Sequence, residues 1–304
     1  MTIPIVSIVM ATYNRAHTLP RAINSVFAQD FRDWELLIID DGSTDNTKEI
    51  LSQYNDKRVK VIVHDRNKGV CAAKNTGFDH MSGEWFTTLD SDDEMTPEAL
   101  STMLAVPEKI DPAIDAITCN CIETTTGVFS GIGLDTDQWL DFKTMVTRCS
   151  GEHWGITKSS LLGDMRFNEK ISGGESVVWY RISYNAKRYY IHEALRIYHT
   201  EGDDRICQNA RSVDIDKRCT FYREIAKERD YLDLLREYRP TDYAATMFNI
   251  CMIHTMEGRS GEALEAYNEC KSYLSVTRRI AHWSARLMGA RAANSLVGIL
   301  VNFR

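Results

Sequence analysis

Short apolar runs rich in branched side chains alternate with amphipathic stretches through roughly the first third of the chain. Ile5 to Ala11 (IVSIVMA), Trp34 to Ile39 (WELLII), Val59 to Val63 (VKVIV) and Glu84 to Leu89 (EWFTTL) read as strands. Between them a helix opens at Thr18 as cap with Pro20 in its first turn, a second starts at Thr44, and a third spans Val70 to Met81. Strands this apolar need cover on both faces. Strand, helix, strand order supplies it, so the pattern predicts an α/β fold with a mostly parallel sheet and helices on both sides.

Residues 116 to 200 continue in the same style, with apolar runs at Ala116 to Cys121 and Tyr189 to Ile191 and a helix-like WYRISYNAKR. From about Ser212 the β signal ends and the chain reads helical to its terminus. Within that part, AATMFNICMIHTMEGRSGEALEAYNECKSYL resembles one tetratricopeptide-type helical hairpin, at about 243–274. A single copy builds no solenoid, so a packed helical pair is expected.

Composition narrows the class only a little. A chain of 304 residues with 43% hydrophobic and 26% charged positions buries a sizeable core, and a net charge of −7 disfavours a dedicated nucleic-acid binder. The eight cysteines contain no CxxC pair, which reads as free thiols in a reducing cytoplasm rather than a disulfide or zinc framework. MTIPIVSIVMATYNR has no basic flank, and no segment reaches about 18 uninterrupted apolar residues, so neither a signal peptide nor a membrane span is expected.

Polar clusters follow the strands. TYNR (Thr12 to Arg15), DDGSTD (Asp40 to Asp45) and LDSDD (Leu89 to Asp93) each come directly after a predicted strand. In parallel sheets ligands sit at the carboxyl ends of strands, and three such loops would meet on one edge. Asp90, Asp92 and Asp93 are hard oxygen donors of the kind that hold Mg²⁺ or Mn²⁺ together with substrate phosphate. The same acids also suit a plain helix entry, with Thr96 as cap and Pro97 in the first turn. DDGSTDNT likewise reads either as a turn into a helix or as a strand end whose Asp40 or Asp41 accepts from a nucleobase or ribose. NKGVCAAKNTG carries Lys68 and Lys74 on a solvated face or against base or phosphate.

SIVMATYNR, LLIIDDGSTDNT and NKGVCAAKNTGFDHMSGEWFTTLDSDDEMTP resemble, in order and spacing, the N-terminal half of glycosyltransferase family 2. The resemblance implies the GT-A fold and an inverting, DxD-containing enzyme that moves a sugar from a nucleotide diphosphate with the help of Mn²⁺ or Mg²⁺. It places the catalytic domain at 1–210, with a nucleotide-binding half to about 110 and an acceptor half from about 111, followed by a helical region at 211–304. By that resemblance Thr12, Tyr13 and Arg15 match the loop that meets the nucleotide. Asp41 matches the acid that reads the base, usually uracil, and Lys74 the basic residue beside it. Asp90 and Ser91 match the nucleotide side of the DxD motif, Asp92 the principal metal ligand, and Asp93 a support.

The acceptor half departs from the family's pattern. Where an acidic pair precedes a helix with aromatic residues, ISGGESVVWYRIS reads Glu175, Ser176, and the customary aspartate is missing. Glu175 is the candidate base, since an inverting displacement needs a carboxylate to take the acceptor hydroxyl's proton. The alternatives are another acid as base, or a catalytically inactive sugar-nucleotide or protein-binding module on the same scaffold. In YHTEGDDR, His199 resembles the family's metal-side histidine and Arg205 a phosphate contact. His153 and Trp154 are candidates to line the acceptor pocket, with core packing as the alternative.

The chain ends on a basic segment. After Cys270 there is no Asp or Glu, while Lys271, Arg278, Arg279, Arg286, Arg291 and Arg304 are interleaved with apolar residues at helical spacing. The pattern at about 276–304 fits a helix lying in an anionic membrane surface, or an ordinary docked C-terminal helix. On the first reading the acceptor is a saccharide on a polyprenyl carrier and the protein sits at the cytoplasmic face of the membrane. A dinucleotide oxidoreductase is disfavoured by the lack of GxGxxG after the first strand.

Overall fold

The computed structural model describes residues 4–171, 175–201, 215–275 and 278–279. The chain divides into two compact units, Met1–Glu169 with Gly173–Asp204, and Lys170–Ser172 with Arg205–Arg304. The first is built on one sheet whose strands run β3-β2-β1-β4-β8-β6-β9-β5. Here β1 is Val6–Thr12, β2 Trp34–Asp40, β3 Val59–Val63, β4 Trp85–Thr88, β5 Glu94–Met95, β6 Ala116–Glu123, β8 His153–Lys158 and β9 Arg188–Tyr198; a short β7, Gln138–Trp139, adds to β9.

The first half of the sheet is parallel, β1 pairing with β2 and β4 and β2 with β3, as the alternation predicts. Side chains split by parity. Val6, Ile8, Met10, Leu36 and Ile38 meet α1 (Leu19–Phe27) and α4 (Ala99–Lys109) on one face. Val9, Leu37 and Ile39 meet α3 (Val70–His80) and, after the short helices α5 (Phe142–Arg148) and α6 (Ser159–Leu162) in the chain, α7 (Glu175–Asn185) on the other. Both faces of each central strand are therefore dry, which explains why the runs are apolar without alternation.

Antiparallel β8 joins β4 to β6, and the sheet then turns parallel again between β6 and β9. The pattern of apolar residues shows only the first part of β9, because its later residues include half-exposed and charged positions. The helix expected from Thr44 begins instead at Thr47 (α2, Thr47–Leu51). Asn14 Oδ1 accepts from Thr44 N–H at 2.8 Å, and Asp45 Oδ1 accepts from Thr47 N–H and Oγ, at 3.0 and 2.6 Å, so residues 44–46 are held as a loop.

The second unit is helical: α8 (Ile215–Ile225), α9 (Arg229–Tyr238), α10 (Pro240–Met256) and α11 (Ser260–Cys270). Tyr243, Met247, Cys251, Ala263, Ala266 and Tyr267 are buried in it. The turn between α10 and α11 passes through Gly258 at φ +73°. Apart from residues 278 and 279, the basic segment at about 276–304 lies outside the described residues, as do Arg205 and the glycine pair before Glu175.

Candidate active site

Parallel register brings the polar loops to one edge. Thr12 is the register partner of Asp40, and the loops beyond them are latched by Asn14, which adopts φ +53° and donates its N–H to Ser43 Oγ at 2.9 Å. Gly42, at φ +75°, lies so close to the next loop that a Cβ there would meet the Arg66 carbonyl carbon at 2.6 Å, so DDGSTD needs its glycine. Tyr13 stands out of this edge, 41% exposed, and Arg15 follows it in the same loop.

The two aspartates of this loop differ. Asp41 is buried, and its carboxylate accepts from Lys68 N–H, from Gly69 N–H at 2.7 Å and from the ring of His64. Asp40 accepts from Ser43 N–H at 2.9 Å through Oδ1, while Oδ2 has no partner among the described residues, nor has Thr12 Oγ.

The acidic loop after β4 is sorted by a residue that sequence reasoning missed. Arg196, on β9, is 5% exposed; its guanidinium donates to Asp90 Oδ2 at 2.7 Å and through Nε to Asp93 Oδ2 at 2.8 Å. Asp93 also accepts from His199 N–H at 2.8 Å, so it ties the loop to the end of β9. Lys74, on α3, sits 3.4 Å from Asp90 Oδ1 and 2.8 Å from Glu175 Oε1. The ammonium of Lys74 holds the Asp90 carboxyl well below the usual carboxylate range, against the opposing effect of burial and with help from Arg196. Burial pulls the Lys74 ammonium the other way, but Asp90 and Glu175 together raise it above the ordinary lysine range.

Asp92 stands apart. Only its backbone is engaged, Asp92 O accepting from Arg21, and its carboxylate has no partner among the described residues. Ser91 is buried beside it. His199 Nε2 lies 2.8 Å from Glu94 Oε1, so its ring faces Glu94. Among the described residues no three His, Cys, Asp or Glu side chains form a ready cage for a cation. The unpaired Asp92 carboxylate is nevertheless the hard donor that Mn²⁺ or Mg²⁺ takes when water and substrate phosphate complete the shell, and in that sense the residues fit such an ion.

Of the two readings of Trp154, its surroundings favour core packing. Its indole is 6% exposed and its N–H donates to Thr88 O at 2.9 Å, which makes it a core residue with no face open to a sugar. His153, on the same strand, is half-buried, and burial lowers its pKa. The signal that pointed to Arg196 was present only as a charge inside an apolar run; nothing in the sequence told which acids it would meet.

Residues 7–161 match the model of the family described as Glycosyl transferase family 2. The chain is 36% identical over 251 residues to the GalNAc(5)-diNAcBac-PP-undecaprenol beta-1,3-glucosyltransferase of Campylobacter jejuni, covering 80% of this chain and 79% of that one. A shorter match, 42% over 89 residues, covers 29% of this chain and 35% of the UDP-Glc:alpha-D-GlcNAc-diphosphoundecaprenol beta-1,3-glucosyltransferase WfgD of Escherichia coli. Among solved structures, residues 1–349 of S. aureus TarS in complex with UDP-GlcNAc superpose with a TM-score of 0.66 at 18% identity, over 96% of this chain and 90% of that one. The mannosyltransferase PcManGT of Pyrobaculum calidifontis, in complex with GDP-Man and Mn²⁺, gives 0.53 at 15% identity, over 98% and 86%. These two share the fold. The chain belongs to glycosyl transferase family 2: it is a glycosyltransferase with a GT-A fold and a helical C-terminal region.

Proposed function

We propose that this enzyme transfers a hexose or N-acetylhexosamine from a UDP-linked donor to a hydroxyl of a polyprenyl-diphosphate-linked saccharide, in one inverting displacement. The observation that carries the reading is the meeting of Lys74, Asp90 and Glu175 beside the unpaired carboxylate of Asp92. The acceptor class follows the names of the Campylobacter and Escherichia relatives, both of which include an undecaprenol-linked sugar, and the UDP-linked donor follows the Escherichia name and the UDP-GlcNAc complex of TarS.

In this reading Thr12, Tyr13, Arg15 and the Asp40–Asp41 turn hold the nucleotide, with Tyr13 as the exposed stacking face. Asp90 and Ser91 fix the ribose and diphosphate side, and Lys74 spans from there to Glu175. Glu175 keeps one oxygen on Lys74 and turns the other to the acceptor hydroxyl, taking its proton as the oxygen attacks the anomeric carbon opposite the diphosphate. Asp92 would hold Mn²⁺ or Mg²⁺, which supplies neutralisation of the charge left on the departing diphosphate. His199 shapes that side through Glu94, and His153 lies toward the acceptor.

No described helix is long and apolar enough to cross a membrane. A lipid-linked acceptor would instead be reached from the surface, the basic segment at 276–304 resting on anionic lipid at the cytoplasmic face. The test is transfer itself. Purified protein is given UDP-glucose or UDP-N-acetylglucosamine, Mn²⁺ or Mg²⁺ and an undecaprenyl-diphosphate saccharide, and the anomeric configuration of the product is read by NMR. A β-linked product from the α-linked donor supports the proposal; an α-linked product, or no transfer with either donor, overturns it.

A further inference from the structure

His64 lies outside the residues assigned above, yet it meets two of the elements that build the donor side. It follows β3 directly and its N–H donates to Asp40 O at 2.9 Å, extending the ladder toward the carboxyl edge. Its side chain is 7% exposed, with Nδ1 2.7 Å from Asp41 Oδ1 and Nε2 3.0 Å from Thr76 Oγ. The Asp41 carboxylate only accepts, so Nδ1 carries a hydrogen. Thr76 serves either ring state: it donates to Ala72 O, 3.0 Å away, and accepts from Nε2–H, or it turns to donate to a bare Nε2.

Asp41 passes this restraint on. Besides His64 it accepts from Lys68 N–H and Gly69 N–H, the amides that lead into α3. Gly69 sits at the N-cap of α3 with φ +98° and no side chain to cap the helix, so Asp41 satisfies its N–H from the loop after β2. Thr76 lies on the same helix two residues beyond Lys74, whose ammonium bridges Asp90 and Glu175. One imidazole thus grips α3 at its start, through Asp41, and at mid-length, through Thr76.

We propose that His64 is a positioning residue of the donor site: through Asp41 and Thr76 it sets the depth and rotation of α3, and with them the place of Lys74 between Asp90 and Glu175. The inference rests on the donor reading for its binding arm only.

The test uses isosteric halves of the ring in the full-length enzyme. His64→Asn places an amide N–H where Nδ1 stands and keeps the donation to Asp41; His64→Gln reaches only the Nε2 position. Two readouts are taken at a temperature where circular dichroism shows all variants folded: hydrogen exchange of the Lys68 and Gly69 amides without nucleotide, and titration with UDP and Mn²⁺. The expected result is wild-type protection of the two amides in His64→Asn, with an affinity loss smaller than in His64→Gln because only the Thr76 contact is gone. In His64→Gln, exchange is faster and the UDP dissociation constant rises about tenfold, the cost of a small misplacement in a binding site. Equal protection in the two variants overturns the inference, as does equal affinity. If the wild-type protein itself fails to bind UDP, the donor reading falls, and the exchange experiment still decides the role of His64.

Discussion

The Lys74 ammonium and the Glu175 carboxylate meet at 2.8 Å, joining α3 to the first turn of α7. With Ser176 in the place of an acidic neighbour, Glu175 is the carboxylate that this lysine keeps in the site. Glu175→Gln preserves shape and removes the proposed proton acceptor. The expected outcome is a kcat lower by about 10²- to 10⁴-fold with the donor KM changed little, since general-base catalysis is worth that much. Near-normal turnover in this variant would show that another group takes the proton.

Asp92 and Asp93 are neighbours in opposite surroundings, Asp93 paired with the buried Arg196 and Asp92 without a carboxylate partner among the described residues, where the proposal has it hold the metal ion. Asp92→Asn should raise the Mn²⁺ concentration needed for half-maximal transfer while leaving the melting temperature close to wild type. Asp93→Asn leaves the buried Arg196 short of its main partner and is expected to cost about 3–5 kcal/mol of stability, as breaking a buried pair does. Thermal melts of Asp93→Asn, Arg196→Met and their combination check this. The double variant should recover part of the loss, because it leaves no unpaired buried charge.

Acid should act through the paired carboxylates. Side-chain and backbone hydrogen bonds from Arg58 draw the Asp56 carboxyl down to about 2 from 3.8, and Lys74 draws Asp90 down as well. A depressed folded-state pKa gives stability that is complete above the unfolded value and lost as pH falls through the folded one. Denaturant melts from pH 6 to pH 2 should therefore show stability falling below about pH 4. Asp56→Asn should make that limb shallower; an unchanged slope would contradict the assignment.

Gly77 lets α3 lie directly on β1, since a Cβ there would meet Val9 Cγ1 at 2.3 Å. Gly77→Ala is expected to destabilise the fold by about 1–3 kcal/mol, the usual cost of overpacking. Because the helix would lift away from the strand, the donor KM should rise as well. A denaturation curve and steady-state kinetics measure the two effects separately.

Truncation before residue 276 tests the proposed membrane contact. Flotation with phosphatidylglycerol vesicles should recover the full chain, with binding weakened by salt, and should leave the truncated chain in solution. Equal flotation of both would assign the contact to another surface.

The parallel start of the sheet, its two dry faces and the three strand-end loops were legible in the sequence, because they depend on local periodicity and on turn chemistry at residues such as Gly42. The TYNR, DDGSTD and LDSDD clusters were likewise marked by residue type and position after a strand, whereas the choice of Tyr13 and Asp41 within them came from the family resemblance. The sequence alone did not tell which acids would be neutralised. Asp90, Asp92 and Asp93 look alike in a row, and only the arrival of Arg196 from β9 and Lys74 from α3 pairs Asp90 and Asp93 while Asp92 keeps no carboxylate partner among the described residues. Nor did it separate Trp154 as a core residue from a surface aromatic, since the indole's fate depends on β8 lying between β4 and β6. Periodicity is a property of neighbours along the chain, whereas the charge of a buried carboxylate is set by whatever the fold brings within a few ångströms of it.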